Sequence, residues 1–235
     1  MNRLMLLVVT SLILGVGGGV PALAATSAGR QTTGNVQLVP DVNTGPVAPT
    51  DPDGSGKPFP GDPDDPDNPG TGSRGHLTLD YLSNLTFQQQ AIQDGTITAT
   101  VANTQPFIQL SDRRGSGTGW SLMLKPEPLV GQTNGAQLRA LTVSLGETRF
   151  LSAGENASRQ PDVLVTATQA LPVGSYSLVA RAQDTPGNRQ GVGTWLWRLN
   201  TSPTQPMRLS ILESAVTREQ TYQGTLSWLL TDTPQ

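Results

Sequence analysis

From His76 onward, apolar residues fall on alternate positions of short segments, as in Leu77, Leu79 and Tyr81. A period of two places one face of a strand on a core and the other face in solvent. No stretch of ten or more residues keeps the 3.6-residue period of a helix. Nine or more short strands are therefore predicted, in segments 77–81, 97–101, 120–124, 141–145, 163–167, 176–180, 195–199, 209–211 and 226–230.

The segments between these strands are rich in turn-forming residues, as in QDG, QTNG and DTPGN. The strands themselves are rich in Thr and Val, which suit a pleated and half-buried surface. Many short strands joined by turns are typical of two packed or closed sheets. Residues 76–235 are therefore predicted to form an all-β domain, either an antiparallel β-sandwich or a barrel-like domain.

The first 25 residues have the pattern of a secretory signal peptide. Arg3 precedes an apolar run, and the small residues Ala22 and Ala24 surround a plausible cleavage site. The chain contains no cysteine, which excludes a disulfide framework and a lipid-modified cysteine at the mature N-terminus. The mature chain is therefore predicted to be secreted, with no membrane span.

Residues 26–75 form an acidic segment that is rich in Pro, Asp and Gly. Between positions 41 and 75 it holds seven Asp against Lys57 and Arg74. By itself the segment has too little apolar surface to compensate for the entropy of ordering. DPDGSG and DPDDPDN are similar to calcium loops but lack the other ligand positions. A disordered linker without a metal site is predicted.

The charges of residues 76–235 are balanced, with eleven acidic residues and eleven Lys or Arg. This balance argues against the concentrated basic face that binds nucleic acid. His76 is the sole histidine, so the usual zinc sites and nucleophile–histidine pairs cannot be assembled. Paired carboxylates such as Asp80 and Asp112 remain as candidates for glycoside hydrolysis. Because balanced charges usually lie on the surface, we expect a non-enzymatic protein without a cofactor.

Two of the predicted strands repeat a Trp-x-Leu pair, Trp120 with Leu122 and Trp228 with Leu230. Within each pair, both side chains point to the same sheet face, about 6.6 Å apart. A buried pair contributes to the core, whereas an exposed pair forms a platform for sugar rings or a protein partner. The sequence leaves both alternatives open.

A charged segment, Asp112-Arg113-Arg114, precedes the glycine-rich turn before the first pair. Asp112 is expected to cap this turn through backbone amides or to contact an arginine. Arg113 and Arg114 can stabilise the turn, or they can bind an anionic wall polymer or a carboxylate of a partner.

Taken together, these features resemble the WxL surface proteins of low-GC Gram-positive bacteria such as lactobacilli and enterococci. The resemblance rests on the predicted signal peptide, the spacer, and the segments HLTLDYLSNLTF, LSDRRGSGTGWSLML and YQGTLSWLLTDTP. Its specific part is Asp-Arg-Arg-Gly before the first Trp-x-Leu pair combined with Thr-Asp-x-Pro after the second.

The resemblance implies a cell-surface protein whose C-terminal WxL domain associates non-covalently with the cell wall, with peptidoglycan or another wall glycan as the ligand. It also implies assembly with a co-encoded, anchored surface protein. One alternative is therefore an interaction subunit that is retained only by that anchored partner. The residues expected to form the binding motif are Trp120, Leu122, Trp228 and Leu230, with Asp112, Arg113 and Arg114 in support.

Overall fold

The computed structural model of this chain describes residues 35, 37, 42–156 and 158–233. The predicted signal peptide lies outside these residues and stays a prediction. The chain divides into two compact units, Met1–Gln37 and Leu38–Gln235. The fold described below is that of the second unit.

Short strands account for nearly all the regular structure of the described residues, and the one helix is the 3-10 turn Glu213–Ala215. In chain order the strands are β1 (Leu77–Leu82), β2 (Thr96–Thr100), β3 (Phe107–Asp112), β4 (Trp120–Pro126), β5 (Leu129–Gly131), β6 (Gln137–Leu138), β7 (Leu141–Ser144), β8 (Arg149–Ser152), β9 (Asp162–Val163), β10 (Leu171–Pro172), β11 (Ser177–Ala182), β12 (Gly193–Arg198), β13 (Arg208–Leu212), β14 (Tyr222–Gln223) and β15 (Leu226–Thr231).

The strands form four sheets. Sheet I has the order β1-β3-β12-β8, sheet II β10-β7-β13-β2, sheet III β15-β4-β11-β9, and sheet IV β14-β5-β6. Every pair of neighbouring strands is antiparallel. The predicted all-β class is therefore confirmed, and the arrangement is sandwich-like.

The inner faces of the first three sheets share one hydrophobic core. Burying a large apolar side chain stabilises a fold by about 1.5–3 kcal/mol. The core side chains include Ile108, Leu110, Phe150 and Trp197 from sheet I, Ala99, Leu141, Val143 and Leu209 from sheet II, and Trp120, Leu122, Leu124 and Ala182 from sheet III.

Strand β3 was not among the predicted strands, although Ile108 and Leu110 alternate with polar residues. Every residue of β3 is buried. Ile108 and Leu110 face the main core, whereas Phe107 faces the other side and packs with Tyr81 and Leu196. Strand β3 is therefore covered on both faces, although Gln109 and Ser111 on its outer side are polar.

Residues 42–75 cover the outer face of sheet I, and we call them the covering segment. The ring of Phe59 contacts the rings of Tyr81 and Phe107, with centroids 5.3 Å and 5.1 Å apart. The Thr50 amide donates to Gln109 Oε1 at 2.8 Å, and Gln109 Nε2 donates to the carbonyl of Ala48 at 3.0 Å. The segment is thus held by both apolar and polar contacts.

The covering segment differs from the linker that the sequence analysis predicted there. Its aspartates satisfy local turns, since Asp51, Asp53 and Asp62 each accept the backbone amide two residues later. Its few apolar side chains contact apolar side chains of sheet I. The composition of the segment alone does not show these contacts. Ordering therefore depends on the apolar surface that sheet I offers.

Candidate functional site

The two Trp-x-Leu pairs lie side by side on neighbouring strands of sheet III. In the register of β4 and β15, Leu122 is opposite Leu230 and Leu124 is opposite Trp228. All of these side chains belong to the main core cluster. Leu122 is fully buried, whereas Trp228 and Leu230 are half-buried. The fold thus brings the two pairs together, with their side chains turned inward.

Trp120 is a fully buried core residue with a specific polar contact. Its indole Nε1 donates to the carbonyl of Gly191 at 3.1 Å. Gly191 has a φ of 70°, and a Cβ at this position would lie 2.8 Å from Trp120 Nε1. The backbone therefore approaches the indole as closely as only glycine allows. This contact fixes the indole between the sheets and away from solvent.

Trp228 ends a row of aromatic rings that joins sheets I and III. Its ring meets that of Trp197 edge to face at 6.1 Å, and Trp197 stacks on Phe150 at 5.4 Å. Phe150 in turn lies 6.4 Å from Trp120. Aromatic pairs in such geometries stabilise a core beyond the area they bury. The motif tryptophans therefore connect two sheets instead of forming an exposed platform.

Arg114 joins the segment before the first pair to the segment after the second. Its guanidinium binds Asp112 with two hydrogen bonds, Nε to Oδ1 at 3.0 Å and Nη2 to Oδ2 at 2.8 Å. The same Asp112 Oδ1 accepts the Arg114 amide at 3.1 Å. Arg114 also donates to the carbonyls of Gly119 and, at 3.5 Å, Asp232. A bidentate pair of this kind fixes both partners in one orientation.

Arg113 binds the covering segment. Its Nη2 donates to the carbonyls of Gly45 at 2.9 Å and Gly75 at 2.7 Å, near the two ends of that segment. Its backbone amide donates to the carbonyl of His76 at 2.6 Å. The side chain is half-buried by these contacts. Asp112, Arg113 and Arg114 are therefore all engaged within the molecule.

Asp80 is a buried carboxyl beneath the covering segment. It accepts hydrogen bonds from Thr78 Oγ1 and Ser111 Oγ, both at 2.6 Å, and from Gln109 Nε2 at 3.3 Å. Burial raises the pKa of Asp80, and these hydrogen bonds and the Arg113 charge oppose the shift. Asp80 and Asp112 are thus each enclosed by partners of their own. In the described residues, no cluster of three or more His, Cys, Asp or Glu is placed to hold a metal.

The outer face of sheet III carries an apolar surface that the sequence analysis did not predict. Met123 of β4 is opposite Leu229 of β15 on one side and Leu178 of β11 on the other. The Leu164 amide donates to the Val179 carbonyl at 2.9 Å, which places Leu164 next to β11. We call Leu164, Leu178, Met123 and Leu229 the leucine stripe.

The leucine stripe is accessible and is flanked by an aromatic ring. Leu229 is 39% exposed and Leu164 is 36% exposed. Tyr176 is 45% exposed, with the Lys125 ammonium 5.1 Å from its ring centroid. One residue of the sequence indicates this surface. Leu229 lies between Trp228 and Leu230 and is apolar where alternation predicts a polar residue.

A family model described as WxL domain surface cell wall-binding matches residues 25–234. This chain belongs to the WxL family. The resemblance predicted from the sequence is thus confirmed, and a cell wall-binding domain of this kind implies a location at the cell surface. The matched range includes the covering segment as well as all fifteen strands. Neither the curated proteins nor the solved structures gave a match to this WxL chain. The described part of the chain contains no helix that is long and apolar enough to cross a membrane.

Proposed function

We propose that this WxL protein is exported with removal of residues 1–25 and binds the peptidoglycan of the cell wall directly, non-covalently and without catalysis. The family supports wall binding. The observation that carries the choice of surface is the geometry of β4 and β15, which turn the motif tryptophans inward and leave the leucine stripe outside. The motif then shapes the binding surface without touching the ligand.

The outer face of sheet III suits a saccharide in two respects. The apolar face of a pyranose ring packs on aliphatic and aromatic side chains, which the leucine stripe and Tyr176 provide. The Lys125 ammonium lies beside the Tyr176 ring and forms an ion pair with Glu127 at 2.7 Å. Hydrogen-bonding groups therefore border the apolar surface. Apolar contact with a polar border is the usual composition of a binding surface.

Sedimentation with purified peptidoglycan sacculi tests this proposal. The wild-type chain is expected to sediment with sacculi, and Leu229→Asp is expected to sediment less because a charge interrupts the leucine stripe. Ile92→Asp is the matched control, since Ile92 is a 46% exposed apolar residue outside sheet III. Thermal melts should show that both variants fold.

Two results would contradict the proposal. If Leu229→Asp and Ile92→Asp sediment equally well, the leucine stripe is not the binding surface. If soluble fragments accumulate when the wild-type chain is incubated with sacculi, the protein is an enzyme.

Retention by an anchored protein partner is the second candidate function, and one observation favours it. Strand β15 is the edge of sheet III, with β4 as its one neighbour in the described structure. An edge strand beside an aliphatic stripe can accept a strand from another protein. In that case the chain binds cells that display the partner and does not sediment with bare sacculi. Leu229→Asp would then lose cell binding as well.

A further inference from the structure

The outer face of sheet II consists of hydroxyl side chains and an arginine. These residues alternate with core residues along β2, β7 and β13. They pair across the sheet, since Ser210 lies between Thr142 and Thr98, and Arg208 lies between Ser144 and Thr100. We call this surface the hydroxyl face, and its members are Thr96, Thr98, Thr100, Thr142, Ser144, Arg208 and Ser210.

An open cleft of about 590 Å³ lies at one end of the hydroxyl face. Thr96, Thr142, Ser210 and Arg139 are the polar residues among those that line it. Leu212, which is 51% exposed, contributes an apolar wall. The volume lies within the range of sites for small organic ligands. A few polar groups beside an apolar wall are also typical of such sites.

The polar groups of the cleft have unused bonding capacity. The hydroxyls of Thr96, Thr142 and Ser210 form no hydrogen bond with the described part of the chain. Arg139 donates to Gln137, and neither Arg139 nor Arg208 forms an ion pair with the residues that the structure describes. Two cations without carboxylate partners are therefore available on one surface of a chain whose net charge is −3.

We propose that the hydroxyl face and its cleft bind an acidic glycan, a chain of pyranose units of which some carry carboxylates. Serine and threonine hydroxyls both donate and accept hydrogen bonds, as sugar hydroxyls do. An arginine binds a carboxylate through two parallel hydrogen bonds. The apolar wall at Leu212 receives the apolar face of a ring or an acetyl methyl group.

The spacing of the two arginines fits an oligosaccharide. The Leu212 amide donates to the Ala140 carbonyl, which places the segment with Arg139 beside the end of β13. Arg208 lies four residues before Leu212 along β13, which is about 13 Å at the rise of a strand. The two guanidinium groups therefore meet carboxylates on different sugar units. This site is separate from the leucine stripe, and only the choice of a wall glycan as the probe rests on the proposed function.

Calorimetric titration of the full chain with two saccharides tests the proposal. The first is peptide-free glycan from peptidoglycan, in which N-acetylglucosamine alternates with the carboxylate-bearing N-acetylmuramic acid. The second is a chitooligosaccharide of equal length, which has no carboxylate. The acidic glycan is expected to bind about tenfold more tightly or better, with a difference that shrinks as salt is added. Equal affinities for the two saccharides would overturn the proposal.

Arginine variants identify the surface. Arg139→Gln and Arg208→Gln are each expected to weaken binding of the acidic glycan about tenfold and to leave the chitooligosaccharide unaffected. Arg218→Gln, an exposed arginine outside the hydroxyl face, is the matched control and should bind like the wild type. An equal loss in Arg218→Gln would show non-specific attraction and reject the site.

Two further arms separate this proposal from its rivals. Polyglycerol phosphate is titrated in parallel, and tighter binding of this polymer than of the glycan would reject a carboxylate ligand. Leu229→Asp should keep the preference for the acidic glycan over the chitooligosaccharide even where it sediments less with sacculi, because Arg139 and Arg208 are unchanged. A wild-type chain that sediments with sacculi but binds the two free saccharides equally would overturn the present inference alone.

Discussion

The outer faces of sheets I and III both present apolar side chains, but only one is covered by the chain itself. On sheet I, Tyr81, Phe107 and Leu196 are completely buried, with Phe59 of the covering segment packed against them. On sheet III, Leu229 and Leu164 stay accessible. The difference separates a surface that completes the fold from a surface that is available to a ligand.

The two faces also show that residue type is a poor guide to function here. The covered face has stacked aromatic rings, with Tyr81 and Phe107 4.5 Å apart. The open face has mainly aliphatic residues, and the motif tryptophans lie behind it in the core. The motif tryptophans thus belong to the scaffold of this molecule, and exposure, as at Leu229 and Tyr176, marks the candidate binding surface.

The largest loss of stability is expected for substitutions in the core that lies between sheets I and III. Trp120→Ala should lower the free energy of unfolding by about 3–5 kcal/mol, because it opens a cavity and leaves the Gly191 carbonyl unpaired. Trp228→Ala should cost about half as much, since Trp228 is half-buried. Urea denaturation measures both values. A larger loss for Trp228→Ala would mean that the second pair, not the first, anchors sheet III.

A matched pair of variants addresses the outer faces directly. Phe59→Ala should lower the free energy of unfolding by about 1.5–3 kcal/mol, because its ring is half-buried against two other rings. Leu229→Ala should change it by less than about 0.5 kcal/mol, as is usual for surface positions. Guanidinium denaturation of both variants gives the comparison. Equal losses of stability in the two variants would mean that the covered face contributes no more to the fold than the open face does.

The smallest effect is a dependence on pH that comes from Asp80 on the covered face. Because burial raises the pKa of Asp80 above its ordinary value of 3.8, the folded chain keeps this proton to a higher pH than the unfolded chain. The contribution of Asp80 to stability is therefore greatest below pH 3.8 and is lost as the pH rises through the folded pKa.

Asp80→Asn is the control, because an amide does not titrate. The free energy of unfolding of the wild type, minus that of Asp80→Asn, should fall as the pH rises from 3.8 through the folded pKa of Asp80 and then level off. Denaturation at several pH values measures this difference. A difference that rises with pH would mean that the hydrogen bonds to the carboxylate outweigh burial.

The sequence predicts nine of the fifteen described strands and misses β3, β5, β6, β8, β10 and β14. Each of the nine predicted segments overlaps a strand of the structure. Five of the six missed strands have only two to four residues, which is too short for alternation to identify a strand, and β3 carries Phe107 on its outer face together with polar residues. The sequence analysis also missed that the covering segment is ordered against sheet I. That contact joins residues such as Gln109 and Thr50, which are far apart in the chain.

The candidate site was predicted less completely than the fold. Alternation places Trp120 and Leu122 on one face, but it does not show whether that face is inside. The roles of Arg113 and Arg114 depend on carbonyls of Gly45, Gly75 and Asp232, which no local pattern connects to them. The leucine stripe was not predicted either, although the sequence does show an apolar residue, Leu229, at the outward position of β15.

The contact between Arg114 and Asp232 has a consequence for the timing of assembly. These residues are 118 positions apart, and the strand just before Asp232 completes the edge of sheet III. Chains emerge with their N-terminal parts first, so the covering segment can settle on sheet I while β15 is still being made. Sheet III, whose outer face is the proposed binding surface, is then the last sheet to be completed.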